Sequence, residues 1–388
     1  MRILIVWQSN YPWEVRIEKF TDAFRQQGHE VAVLCRHRGE TKGDELLASG
    51  TRVIRVGVGH SPKLSVPMPA NPVWYKAIHS AMSAVSPDLV IVRDLPLAEL
   101  AARVARSRGV AIVMDMAEHY PAAMRSWKEY ARNPATRFLI HQIKVPDFME
   151  RRAVRLMDGV ITVCDEQIER LSKSYGYPVS RMRVVNNSPK RSWFERTRKG
   201  VSSRPRIFGH HGHMTAERGL HVLLEAISQV EREFPDVELH LAGGGKQSGD
   251  ILATIERLDI SSKVKNFGRY EHADLERLYG LIDIGVLPYP PNEFINHTLS
   301  NKIFDYMACG KPVITSGAVP MKRLVTDTGA GLFFEPWTSE ALAATMKEAL
   351  QRDLTPLAEN GMKAFRERFN WEADVTNLLA FVDTILRG

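Results

Sequence analysis

This 388-residue sequence predicts two doubly wound α/β domains in tandem. Short, continuous apolar runs recur along the chain, as strands covered on both faces require. Segments of helical period fall between most of them. A polar, basic stretch with Pro and Ser, Ser188 to Pro205, separates two rounds of this alternation. The length suits two or three domains, and 44% hydrophobic with 25% charged residues is ordinary for a globular protein.

In the first round the runs Arg2–Trp7, Glu30–Cys35, Asp88–Arg93, Val110–Met116, Gly159–Cys164 and Arg183–Asn187 read as strands. A helix over Ile17–Gln27 ends at Gly28. Gly59 to Pro72 holds four prolines and reads as a surface loop. Trp127 to Arg155 is long, basic and aromatic for a plain connector. The second round offers strands at Arg206–Gly212, Val237–Gly243, Val264–Tyr270, Ile284–Tyr289, Lys311–Ser316 and Gly331–Pro336. The domains expected are therefore 1–190 and 205–370, with a linker at 191–204 and a last helix at 371–388.

No run of about 18 apolar residues exists, so no transmembrane helix is expected. Met1 leads straight into a strand-like run and not into a signal peptide, so a cytoplasmic location is expected. Cys35, Cys164 and Cys309 lie in or beside apolar stretches and read as buried free thiols. Charge is unevenly placed: Met1–Lys190 carries 28 Lys and Arg against 19 Asp and Glu, and Arg191–Gly388 carries 24 against 26. A basic first half suits anionic lipid headgroups, a phosphorylated substrate or a partnerless soluble face. Nucleic acid is not expected, because no zinc spacing or aromatic RNA-binding signature is present.

The most informative stretch is LSNKIFDYMACGKPVI, Leu299 to Ile314. A polar turn of Thr298, Ser300 and Asn301 opens a helix, Gly310 ends it, and a buried strand follows. The helix places Lys302 and Asp305 on one face and Ile303, Tyr306 and Met307 on the other. Free N–H groups and the positive dipole end suit an anion, and a carboxylate one turn in suits a diol. A nucleotide with a diphosphate needs both.

This run resembles the donor-site segment of family-four retaining glycosyltransferases of the GT-B fold. The resemblance spans nearly the whole chain, closely over Ile207–Pro336 and loosely over Asn10–Met157. It implies two Rossmann-like domains facing each other across a cleft, with the last helix crossing back to the first domain and Trp371 docking there. It also implies transfer of a sugar from a nucleoside-diphosphate sugar to a hydroxyl acceptor, with no cofactor and no metal. In GHHGHMTAERG the family's two diphosphate cations fall on His213 and Arg218. Arg218 keeps the charge and the bidentate geometry; His213 is charged only part of the time.

The family pairs two carboxylates eight residues apart in the opening run. Asp305 matches the second, which binds the ribose hydroxyls; His297 replaces the first, which touches the donor sugar. Glu293, just upstream, is a substitute if the loop folds back. Thr298, Leu299 and Ser300 would offer amides to the diphosphate or sugar, and Asn301 and Lys302 open the helix there. Arg269 and Tyr270 match the base pocket, with Tyr289 bordering it. LAGGG, Leu241 to Gly245, reads as a structural turn.

In the first domain the family's Gly-Gly turn is absent and NYPWEVRIEKF stands there, so Trp13, Glu14 and Arg16 are the expected acceptor-side wall. The family's histidine after the fourth strand falls on Ala117, so Glu118 or His119 is expected to face the sugar, with Arg218 as the principal catalytic cation. The acceptor expected is a glycan or lipid-linked saccharide, and the basic first half, with Arg137, Lys144, Arg151 and Arg152, suggests a peripheral place on the inner face of the cell membrane. The departures leave two alternatives. One is a non-catalytic GT-B protein that binds a nucleotide sugar or supports a partner enzyme. The other keeps the fold but phosphorolyses or epimerises a sugar.

Overall fold

The computed structural model describes residues 1–388 except 13, 38–42, 58–62, 128–129, 131–132, 196, 198–199, 216–217, 388 and the side chain of residue 272. Trp13 and the start of the proline-rich loop therefore lie outside the described residues. The chain divides into two compact units, Met1–Val185 with Val375–Gly388, and Asn186–Asp374.

The first unit is built on an eight-stranded sheet. Its strands are β1 (Arg2–Val6), β2 (Glu30–Arg36), β3 (Asp44–Leu46), β4 (Arg52–Val56), β5 (Leu89–Arg93), β6 (Ala111–Met116), β7 (Gly159–Thr162) and β8 (Met182–Val184), in the order β3-β4-β2-β1-β5-β6-β7-β8. All neighbours are parallel except β3 and β4. The six expected runs all hold strands. The β3–β4 pair was not expected, because Arg52 and Arg55 break the apolar run. The Arg55 side chain is in fact buried, with Nη2 2.6 Å from Glu45 Oε1.

The helices of this unit are α1 (Val15–Gln26), α2 (Pro72–Val85), α3 (Ala98–Arg106), α4 (Tyr120–Ser126), α5 (Pro134–Arg137), α6 (Val145–Leu156) and α7 (Asp165–Tyr175). Leu4, Val90, Val92, Ile112 and Met114 of the sheet bury against Trp74 and Ile78 of α2 and Ala101 and Val104 of α3.

The second unit carries a parallel six-stranded sheet of β9 (Ile207–His211), β10 (Glu238–Ala242), β11 (Val264–Asn266), β12 (Ile284–Leu287), β13 (Val313–Ser316) and β14 (Gly331–Phe334), ordered β11-β10-β9-β12-β13-β14. Its helices are α8 (Leu220–Val230), α9 (Ser248–Arg257), α10 (Leu275–Gly280), α11 (Asn301–Ala308), α12 (Val319–Thr328), α13 (Ser339–Gln351) and α14 (Thr355–Glu367). The expected strand over Val264–Tyr270 stops at Asn266, because Gly268 turns the chain at φ +66°. Residues 191–204, expected as a linker, belong to this unit and hold a helical turn at Arg191–Phe194 with Phe194 buried.

Helix α15 (Trp371–Arg387) starts in the second unit, where Asp374 accepts from the amides of Asn186 and Ser188 and Trp371 N–H donates to Pro189 O. Its later residues belong to the first unit, where Phe381 and Ile385 cover Gly159 of β7 so closely that no Cβ fits there. Among the described residues no helix is long and apolar enough to cross a membrane.

Candidate functional site

In the second sheet the strand order reverses between β9 and β12, whose neighbours β10 and β13 run outward on opposite sides. Ligands of open α/β sheets bind outside the carboxyl ends of the strands at such a point. Two segments leave the sheet there: Gly212–Gly219 after β9, and Pro288–Ser300 after β12. Close backbone packing joins them. Gly219 has φ +65°, and a Cβ on it would overlap the Pro288 carbonyl oxygen, which Trp337 Nε1–H already holds at 2.9 Å.

Arg218 lies on the first of these segments. Its guanidinium sits 4.7 Å over the Tyr289 ring, and among the described residues no carboxylate pairs with it. Tyr289 OH is 3.2 Å from Ser300 Oγ. Ser300 holds the N-cap position of α11 but makes no side-chain cap. The amides of Leu299, Ser300, Asn301 and Lys302 have no acceptor among the described residues. Four consecutive N–H donors at a helix start, beside a guanidinium with no carboxylate partner among the described residues, are an arrangement chemically suited to an anion.

Lys302 and Asp305 follow on the same face of α11, Nζ to Oδ2 3.1 Å. Burial pulls the Lys302 ammonium down, but the Asp305 carboxylate outweighs it, with Tyr270 adding to the effect, and the net shift is upward. Tyr279 OH on α10 also donates to Asp305 Oδ2, at 2.9 Å.

Two histidines at the end of β9 pack under this cluster. His210 Nδ1–H donates to Val286 O at 2.9 Å, and burial pushes the ring down to about 4, with Arg218 and Lys302 adding to the shift, so it is neutral. His211 stacks on Tyr279 with ring centroids 4.3 Å apart, and burial, with Lys302 next, holds it well below its ordinary value.

The structure thus brings together Arg218, Leu299, Ser300, Asn301, Lys302 and Asp305. Tyr270 is half-buried near Lys302, while Arg269 is exposed in the turn after β11. His213 is exposed one residue past Gly212. His297 and Thr298 lie half-buried just before α11, and His297 Nδ1 is 2.8 Å from Glu293 O, a contact of the loop with itself. Tyr279, His210 and His211 were not singled out from sequence. They sit on apolar strand and helix positions that read as core, and no spacing marks them.

In the first unit the expected acceptor-side residues separate. Arg16 is 1% exposed. Its Nε and Nη2 donate to both oxygens of Asp115 at 2.7–3.0 Å, so it ties the first turn of α1 to β6 and is spent on the core of the unit. Arg93 Nη1 adds a bond to Asp115 Oδ2 at 2.7 Å, and Glu14 is 3.5 Å from Arg93. Burial raises the Asp115 carboxyl, but Arg16 and Arg93 outweigh it and hold it below the ordinary value. Asp94, at φ +60°, is pushed up by burial against the pull of Arg93. His119 is buried at the start of α4, and Glu118 is half-buried beside it. Among the described residues no cluster of three His, Cys, Asp or Glu side chains has the geometry to hold a metal.

Residues 14–188 match the family model for the glycosyl transferase 4-like domain, and residues 205–352 match that for glycosyl transferases group 1. The chain belongs to the group 1 glycosyltransferases. It is similar to the D-inositol 3-phosphate glycosyltransferase of Segniliparus rotundus, 28% identical over 200 residues that take in 50% of this chain and 43% of that one. This group 1 glycosyltransferase therefore matches less than half the length of that relative.

Among solved structures it is similar to a sucrose-phosphate synthase from Thermosynechococcus elongatus, with TM-score 0.78, 16% identity and 100% of both chains covered. Anabaena HepE, solved in complex with UDP and glucose, superposes with TM-score 0.72 and 17% identity over 99% of this chain and 100% of that one. The fold is GT-B, as the resemblance implied.

Proposed function

We propose that this glycosyltransferase takes its sugar from a nucleoside-diphosphate sugar and passes it to a hydroxyl acceptor with retention of anomeric configuration, without a divalent metal. The observation that carries the proposal is the run of four amides, Leu299 to Lys302, that have no acceptor among the described residues, beside Arg218, which has no carboxylate partner among them. The hard charge in such a reaction is the leaving diphosphate. As the sugar C1–O bond breaks, its electron pair goes to the diphosphate, and donors preorganised in a dry site stabilise that charge.

Arg218 offers a planar fork, Lys302 a point charge and the amides fixed dipoles. The acceptor oxygen then bonds to C1 on the face the diphosphate leaves, and its proton passes to a departing phosphate oxygen. Asp305 holds the ribose. The roles given to Glu118, His119 and His297 toward the sugar are part of this proposal, as are those of His213, Arg269 and Tyr270 toward the nucleotide. UDP in the HepE structure supports the donor class.

The acceptor proposed is a saccharide on a lipid carrier, met at an anionic membrane surface. Support comes from the segment 134–156, where Phe138, Leu139, Ile143 and Phe148 are exposed among Arg137, Lys144, Arg151 and Arg152. Exposed apolar groups interleaved with cations suit a headgroup layer.

Replacing Arg218 with Ala tests the donor assignment. A charge-assisted contact contributes about 1.5–3 kcal/mol, so turnover should fall more than tenfold, with Arg218→Lys recovering part of it. Near-normal turnover in Arg218→Ala would remove Arg218 from the mechanism.

A further inference from the structure

Asp305 is the carboxylate that the proposed function gives to the ribose, and its two oxygens are not equivalent. Oδ2 accepts from Tyr279 OH at 2.9 Å and from Lys302 Nζ at 3.1 Å. Two donors fill the lone-pair sites of one carboxylate oxygen. No hydrogen bond among the described residues reaches Oδ1.

Tyr279 has little freedom to leave. It is fully buried, stacked on His211 at 4.3 Å, and held edge-on by Tyr306 at 5.2 Å and Phe194 at 5.6 Å. A buried hydroxyl needs a partner, and among the described residues Asp305 supplies it. Burial, with the Asp305 charge next, lifts the phenol well above its ordinary value, so it stays a donor throughout the working pH range.

Resting on the donor-site reading above, we propose that Tyr279 is a positioning residue that fixes Oδ2 of Asp305, so that Oδ1 alone is offered to the nucleotide and one ribose hydroxyl is read in place of the diol. A free carboxylate takes a vicinal diol with both oxygens. A pinned one discriminates between the two hydroxyls.

The test is titration calorimetry on the full chain with UDP, GDP and ADP, followed by the 2′-deoxy and 3′-deoxy forms of whichever binds. Tyr279→Phe is run beside the wild type, with its melting temperature recorded. In the wild type, removal of one hydroxyl should weaken binding about tenfold and removal of the other less than about twofold, which is the difference between losing a charge-assisted hydrogen bond and losing none. In Tyr279→Phe the two losses should converge, because Oδ2 regains an accepting site and the carboxylate turns.

Equal losses for the two deoxy forms in the wild type would overturn the proposal. So would an unchanged ratio in a folded Tyr279→Phe, which would make the tyrosine merely a packing residue. If Tyr279→Phe fails to fold, the wild-type ratio alone still decides. Absence of binding by every nucleotide would instead sink the donor-site reading itself, and this inference with it.

Discussion

The buried charge cluster of the first unit allows a quantitative prediction. Asp115→Asn removes the only charge on a side chain that accepts from Arg16 Nε, Arg16 Nη2 and Arg93 Nη1, with the closest contacts at 2.7 Å. Breaking one partner out of a buried ion pair costs about 3–5 kcal/mol, because the remaining charge stays buried. Arg93 keeps Glu14 at 3.5 Å and Asp94 at 3.8 Å, which argues for the lower end. A loss of about 3 kcal/mol in a unit of this size should lower its transition by about 6–12 °C.

Scanning calorimetry reads this directly, and urea unfolding gives the same difference. The sign of the pH dependence follows from the depressed Asp115 carboxyl. Its stabilisation is complete above the ordinary carboxylate range and is lost as pH falls through the folded-state value. The gap between wild type and Asp115→Asn should therefore close below about pH 4. A loss under about 1 kcal/mol at neutral pH, or a gap that widens in acid, would refute the reasoning.

Gly219→Ala should cost more than about 1 kcal/mol through its positive φ alone, and should weaken nucleotide binding as the Arg218 segment moves off Pro288; unchanged calorimetric affinity would separate that turn from the site. Burial pushes the Cys35 thiol up to about 12, so mass spectrometry after alkylation of the native protein at mildly alkaline pH should find Cys35 unmodified, and rapid labelling would contradict its placement. Sedimentation with vesicles should need anionic lipid and weaken with salt, and replacing Phe138 and Phe148 with Ser should reduce it several-fold; salt-insensitive binding or none would point to a soluble acceptor.

The parallel strands were legible because a strand buried on both faces is dominated by a continuous apolar run, as in Leu89–Val92 of β5 and in Ile284–Leu287. β4 was not, because Arg55 is buried by pairing with Glu45, a contact that only the folded chain makes. The start of α11 proposed to bind an anion was legible from Ser300 to Asp305, since a polar turn, a helix and a carboxylate one turn in lie within one short segment. Asp115 and Arg16 were not legible as partners, being 99 residues apart. Arg16, read as part of an acceptor-side wall, is a buried residue that ties the start of α1 to β6. Tyr279 and His211 carry no local signal at all, because their role depends on a partner supplied by another helix.

In the proposed function the second unit binds a nucleoside diphosphate through Arg218, the Leu299–Lys302 amides and Asp305. A calorimetric and thermal-shift panel of nucleoside diphosphates and their sugars, with and without magnesium, tests it most directly. One nucleoside diphosphate should bind and stabilise the protein, equally in the presence of a chelator. Binding that requires magnesium would contradict the metal-free site, and no response to any nucleotide would contradict the donor site and favour a non-catalytic role for the fold.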